Sequence, residues 1–171
     1  MPNLTEQKEA METEPTMNLK AEYETDFYAW LNHSITLLRQ GKLAEIDVDN
    51  LIGELESMGN EKRSELVSRF IVLIAHLLKW QFQLQQLSSQ WQEFEGKSGR
   101  KTIIEQRLQL ENQLENNPSL KSYLVAAVNK AYPKAIKFAT KETNLKASTF
   151  PTNCAYTIEQ LLDYDFYPDP E

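Results

Sequence analysis

The stretch from about Glu61 to Gln86 limits what this chain can become more than any other. Leu66, Phe70, Leu73, Leu77, Trp80, Leu84 and Leu87 recur at alternating steps of four and three, the spacing of a helix seam. A second apolar row, Val67, Ile71, Ile74 and Leu78, lies roughly 100–160° further round the same helix. A surface helix needs one apolar stripe, so a helix carrying two has to be covered from two sides. The spacing therefore predicts an all-α fold: a helical bundle of about five helices around one long central helix, 61–86, with no sheet.

The remaining segments supply the helices that cover it. Thr25 or Asp26 can cap a first helix whose inner side is Phe27, Trp30, Leu31, Ser34, Ile35 and Leu38, closed by Gly41. Asp47 or Asp49 can cap a short second helix to Met58, with Leu51, Ile52, Leu55 and Met58 inward. Gly59 then ends it, and Asn60 caps the central helix. Ser88 to Gly99 reads as a flexible turn pinned by Trp91 and Phe94. A fourth helix is expected from Lys101 to Asn116, returning antiparallel, with Ile103, Ile104, Arg107, Leu108, Leu110 and Leu114 on its apolar side. Asn117-Pro118-Ser119 opens a fifth, whose inner face is Leu120, Leu124, Ala127, Val128, Ala131, Ala135, Ile136 and Ala139. Pro133 should bend or break it. Thr157 caps a last short helix with Ile158, Leu161 and Leu162 buried.

Charge and size divide the chain into a flexible acidic arm (1–22), a single helical domain (23–168) and a short tail (169–171), with order beginning near Tyr23. Of the net charge of −7, Met1 to Asp26 contributes seven acids against two lysines, and Asp163 to Glu171 four acids and no base. Such acidic ends argue against general binding to nucleic acid or to an anionic membrane. No segment approaches the roughly 18–20 apolar residues of a membrane span. No basic region followed by an apolar one marks a secretory signal. A single cysteine allows no intrachain disulfide framework, which points to the cytoplasm.

In order along the chain, Tyr23-Glu24-Thr25-Asp26-Phe27-Tyr28-Ala29-Trp30, Leu37-Leu38-Arg39 with Gly41, and Leu51-Ile52 with Glu54, Glu56 and Gly59 form one series of landmarks. His76-Leu77-Leu78-Lys79-Trp80 with Gln81, Gln106-Arg107, Asn117-Pro118-Ser119-Leu120, Tyr132, Glu142-Thr143 and Phe150-Pro151 continue it. Together they resemble the family called domain of unknown function 29, found mostly in cyanobacterial proteins, over roughly Tyr23 to Pro168. Gln83-Leu84-Gln85-Gln86-Leu87 stands where members tend to be more basic. The resemblance implies an α-helical fold and supplies no activity, cofactor or catalytic residue.

His76 is the most suggestive residue for chemistry, on the shoulder of the buried stripe. As a base or ligand it would need a carboxylate, and Glu54, Glu56 or Glu142 are the ones a bundle could bring near it. The plainer reading is a boundary histidine whose hydrogen bonds are satisfied. Glu54 and Glu56 cannot serve one face together, being about 200° apart on a helix. No pair of Glu-x-x-His motifs exists for a diiron site. His33, His76 and Cys154 are too few for an ordinary zinc site. Cys154 has no local group to activate it, and five scattered glycines make no phosphate loop. No cofactor and no metal is therefore expected. The cluster of Tyr23, Asp26, Tyr28 and Trp30 could be taken for the entrance to an active site, but it reads as packing at a bundle edge.

Lys130, Lys134, Lys137 and Lys141 line one face of the fifth helix at steps of four, three and four. Such a row is normally the solvated side of an amphipathic helix; its functional reading is a docking strip for an acidic partner. Three functions remain in view. The first is a protein–protein interaction module, self-association included. The second is an enzyme or small-ligand binder using His76 with a bundle carboxylate. The third is nucleic-acid binding through the Lys130–Lys141 strip.

Overall fold

Residues 18–84, 87 and 89–169 are described by the computed structural model. Residues 1–17 of the expected arm and the last two of the tail lie outside them, as does the side chain of Trp91. Six α-helices are assigned among these residues: α1 (Leu19–Thr25), α2 (Phe27–Gln40), α3 (Val48–Phe82), α4 (Ser89–Asn116), α5 (Leu124–Thr143) and α6 (Ile158–Leu162). Among the described residues there is no strand. The long central helix and the all-α class are as the apolar spacing predicts.

The chain forms two compact units that meet between Met58 and Gly59. In the first, α1 begins at Leu19, so order starts ahead of Tyr23. Leu19 is buried and offers α1 an anchor that the polar composition of the arm conceals. Asp26 caps α2 by accepting from the Ala29 N–H at 3.0 Å. Gly41 closes it in the left-handed conformation, φ 69°, donating to the Leu37 and Leu38 carbonyls. Trp30 and Ser34 are buried as their spacing suggests, whereas Phe27 and Leu38 are exposed.

The predicted break at Gly59 is absent, and α3 runs unbroken for 35 residues. One glycine in a helix costs about 1 kcal/mol against alanine. Flanking turns that are already helical outweigh that cost, because extending a helix is far easier than starting one. Ile52, Leu55 and Met58, expected inward, are exposed, and Val48 with them.

The second unit is built on the rest of α3. Leu66, Phe70, Leu73 and Leu77 on one row, and Ile74 and Leu78 on the other, are essentially inaccessible to water. α4 returns antiparallel: near its end Gln113 donates to the Lys62 carbonyl at 2.8 Å, while near its start Gly96 lies against Leu84. α4 begins twelve residues earlier than expected and takes up the supposed turn, so Phe94 lies exposed on a helix. Ile103, Arg107, Leu110 and Leu114 are buried, but Ile104 and Leu108 face water.

α5 runs parallel to α3, as Arg63 meets Tyr123 and Lys79 meets Glu142. It is preceded by a 3-10 segment, Pro118–Tyr123. Its inner face, Leu124, Ala127, Val128, Ala131, Ala135 and Ala139, is buried as the sequence predicts, with Ile136 half-buried. Pro133 neither ends nor divides it. The bond that Pro133 removes would have gone to the Asn129 carbonyl, and both residues lie on the exposed side, where water can serve that oxygen. α6 opens with a reciprocal capping box between Thr157 and Gln160 and buries Leu161.

Candidate functional site

His76 sits on α3, half-buried, its ring centroid 6.5 Å from that of Phe138 on α5. Burial pushes its pKa down, and the Lys79 ammonium one turn on adds to this. Glu142 and Glu95 oppose both. The imidazole is thus held in its neutral form, which suits a base as readily as a packed ring. The cleft it borders with Lys79, Trp80, Leu84 and Glu95 holds about 20 Å³. That is room for one water and not for a substrate.

Two of the three candidates for chemistry are brought into one neighbourhood. Glu142 reaches the vicinity of His76 but spends its carboxylate on Lys79, at 2.7 Å. Glu54 belongs to the first unit, where it accepts the Tyr23 hydroxyl at 2.7 Å. That hydrogen bond, with smaller effects of burial and of neighbouring acids, raises the Tyr23 pKa. Cys154 borders a cleft of about 510 Å³ with Asn129, Tyr132 and Tyr156. Burial pushes its thiol up, opposite to the shift that activates a nucleophile. Among the described residues no group of three or more His, Cys, Asp or Glu is placed to hold a metal ion, and no helix is long and apolar enough to cross a membrane.

The lysine row separates into two pairs. Lys137 and Lys141 project from α5 and make no ion pair among the described residues. Lys130 and Lys134 instead border a cleft of about 380 Å³ with Asn60, Arg63, Ser64 and Tyr123. The Lys130 ammonium donates to the Tyr123 hydroxyl at 2.9 Å, and the Arg63 guanidinium lies 5.4 Å from the centroid of the same ring. The sequence shows the lysines by their spacing. It gives no sign that Arg63, about 70 residues earlier in the chain, meets them.

Spacing places Arg107 on the apolar side of α4 without saying why an arginine belongs there. It is 1% exposed and donates to four carbonyls of the C-terminal segment: Leu161 at 3.0 Å, Phe166 at 2.8 Å, and Gln160 and Tyr164 at 3.3 Å. Two of these are carbonyls of α6 itself, whose short length leaves them without intrahelical partners. Burial works against the charged form, while Tyr167, Asp163 and their neighbours favour it. The arrangement is structural: Arg107 fastens the end of the chain to α4.

A family model described as domain of unknown function DUF29 matches residues 22–167. The chain belongs to the DUF29 family. The match takes in most of α1, all of α2 to α6 and the residues of the Arg107 clamp. Neither the curated proteins nor the solved structures contain a match to the chain.

Proposed function

We propose that this DUF29 domain is a protein-interaction module of the cytoplasm that pairs with a second copy of itself through the first turns of α3. The observation that supports this is the apolar stripe left in water there. Val48, Ile52, Leu55 and Met58 are 50–62% exposed, at successive steps of four, three and three along one side of the helix. Leaving such side chains in water forgoes about 25 cal/mol for each Å² that could be covered. The first two steps, four and three, suit knobs-into-holes packing against another helix. A second copy offers the same stripe, so a two-fold interface would be self-complementary.

Residues 1–58 contain twelve acids against four bases, so two copies repel through this region and added salt should strengthen their association. Docking of an acidic partner on the α5 lysines would weaken with salt instead. Sedimentation velocity of the full chain from low to high micromolar concentration tests the reading. The wild type should pass from monomer to dimer, and Leu55→Glu should remain monomeric with an unchanged far-ultraviolet circular dichroism spectrum. A wild type that is monomeric throughout, or a Leu55→Glu chain that dimerises equally well, refutes it.

A further inference from the structure

We infer that the cleft between α3 and the start of α5, where Arg63 and Lys130 flank Tyr123 and Lys134 lines the same wall, binds a phosphate monoester. This uses none of the residues of the self-association reading and stands independently of it. A solvated lysine face normally spreads its ammonium groups apart or pairs them with acids one turn away. Here the opposite holds. Lys130 folds back so that its ammonium meets the Tyr123 hydroxyl at 2.9 Å, and both it and the Arg63 guanidinium lie 5.4 Å from one ring centroid. Lys134 borders the same cleft. None of the three cations has a carboxylate within ion-pair distance among the described residues. Glu65, two residues on from Arg63 and about 200° round the helix, is engaged by Arg69 at 3.4 Å.

Three cations bordering one cleft repel one another, and a concave wall concentrates their field. An anion in the cleft relieves that repulsion. Its charge is what selects the ligand class: a carboxylate brings one negative charge, whereas a phosphate monoester brings about 1.5–2 at pH 7. The donors also suit three phosphate oxygens. The guanidinium fork of Arg63 can hold two in parallel, the lysines act as point charges, and the Ser64 hydroxyl and Asn60 amide remain to donate. The Tyr123 hydroxyl accepts from Lys130, so its own proton is free for the ligand. At about 380 Å³ the cleft lies within the range of small-molecule sites, roughly 300–1,000 Å³, and exceeds what a bare anion fills. The ester should therefore carry a body, either a small sugar or a phosphorylated side chain.

Isothermal titration calorimetry of the full chain with inorganic phosphate, ribose 5-phosphate and doubly blocked O-phosphoserine distinguishes these sources, with doubly blocked glutamate as control. One of the two esters should bind saturably and more tightly than inorganic phosphate, and the tighter one identifies the body. Among the described residues no histidine or carboxylate lines the cleft, so binding that strengthens as pH rises through about 6 reports the second ionisation of the phosphate. Arg63→Gln and Lys134→Gln should each weaken binding about tenfold or more, while Lys137→Gln, outside the cleft, should leave it unchanged. All three positions are exposed, and circular dichroism verifies that each variant folds. The inference is overturned if neither ester binds, if inorganic phosphate or blocked glutamate binds as well as they do, or if Lys137→Gln costs as much as Lys134→Gln.

Discussion

Replacing Arg107 with methionine keeps the length and most of the volume of the side chain and removes its five N–H donors. The two short bonds, to Leu161 and Phe166, carry most of what is lost; those to Gln160 and Tyr164, at 3.3 Å, add less. Net contributions of hydrogen bonds to charged groups run about 1.5–3 kcal/mol each. Two good ones therefore set a loss of about 3–5 kcal/mol after allowing for imperfect additivity. Methionine also escapes the cost of burying a guanidinium, which can itself reach several kcal/mol. That makes the sign of the result informative. At about 2–4 °C per kcal/mol for a chain of this size, the melting midpoint should fall by roughly 10 °C, with Arg107→Lys in between because it keeps the charge and loses the fork. Hydrogen exchange adds the location: amides of 158–167 should lose protection first. A methionine variant that melts at or above the wild type would mean that guanidinium burial outweighs its bonds. Global loss with 158–167 still protected would mean that Arg107 does not fasten that segment.

Leu77→Ala, truncating a fully buried core residue, should cost about 2–5 kcal/mol in urea unfolding, whereas Lys137→Ala on the exposed face of α5 should change stability little; equal losses would mean that the facing is misassigned. Gly59 lies within α3 with open space where a Cβ would go, so Gly59→Ala should stabilise by about 0.5–1 kcal/mol, and a loss on thermal melting would show that the site is not helical. The His76 pKa is lowered in the folded chain, so the unfolded chain takes up its proton first as the solution is acidified. Stability should therefore fall as pH drops below about 6.5 and on toward the lower folded value. His76→Asn should flatten that slope, and an unchanged slope in urea titrations would assign it to other groups.

The second unit was legible because its elements solve their burial within the chain itself. Two apolar rows on α3 and the alanine-rich face of α5 can be read from spacing alone, and most of their residues are buried as read, with Ile71, Trp80 and Ile136 half-buried at their edges. Glycines misled for a physical reason. Gly41 ends α2 in a left-handed conformation, while Gly59, Gly96 and Gly99 lie inside helices, and the difference rests on whether helical turns continue on both sides rather than on the glycine. The clefts were less legible. Lys130 and Lys134 are visible as a row, but Arg63 and Tyr123 join them only after α5 has packed parallel to α3. Arg107 was placed on the right face by its spacing, yet its partners lie more than fifty residues away and are backbone atoms, which no side-chain pattern reveals.

The same limit explains the stripe on the first turns of α3. Periodicity states which face of a helix avoids water and is silent about whether the covering surface comes from the same chain. For Leu66 to Leu78 it does, and truncation there should lower the stability of the folded chain. For Val48 to Met58 the side chains remain in water, so Leu55→Glu should cost the isolated chain little and act on association alone. The two halves of one continuous helix thus predict opposite pairings of effect: at Leu77 a loss of stability at any protein concentration, at Leu55 a loss that vanishes on dilution. If Leu55→Glu unfolds the chain in the dilute limit, the stripe is covered from within, and the case for a second copy ends with it.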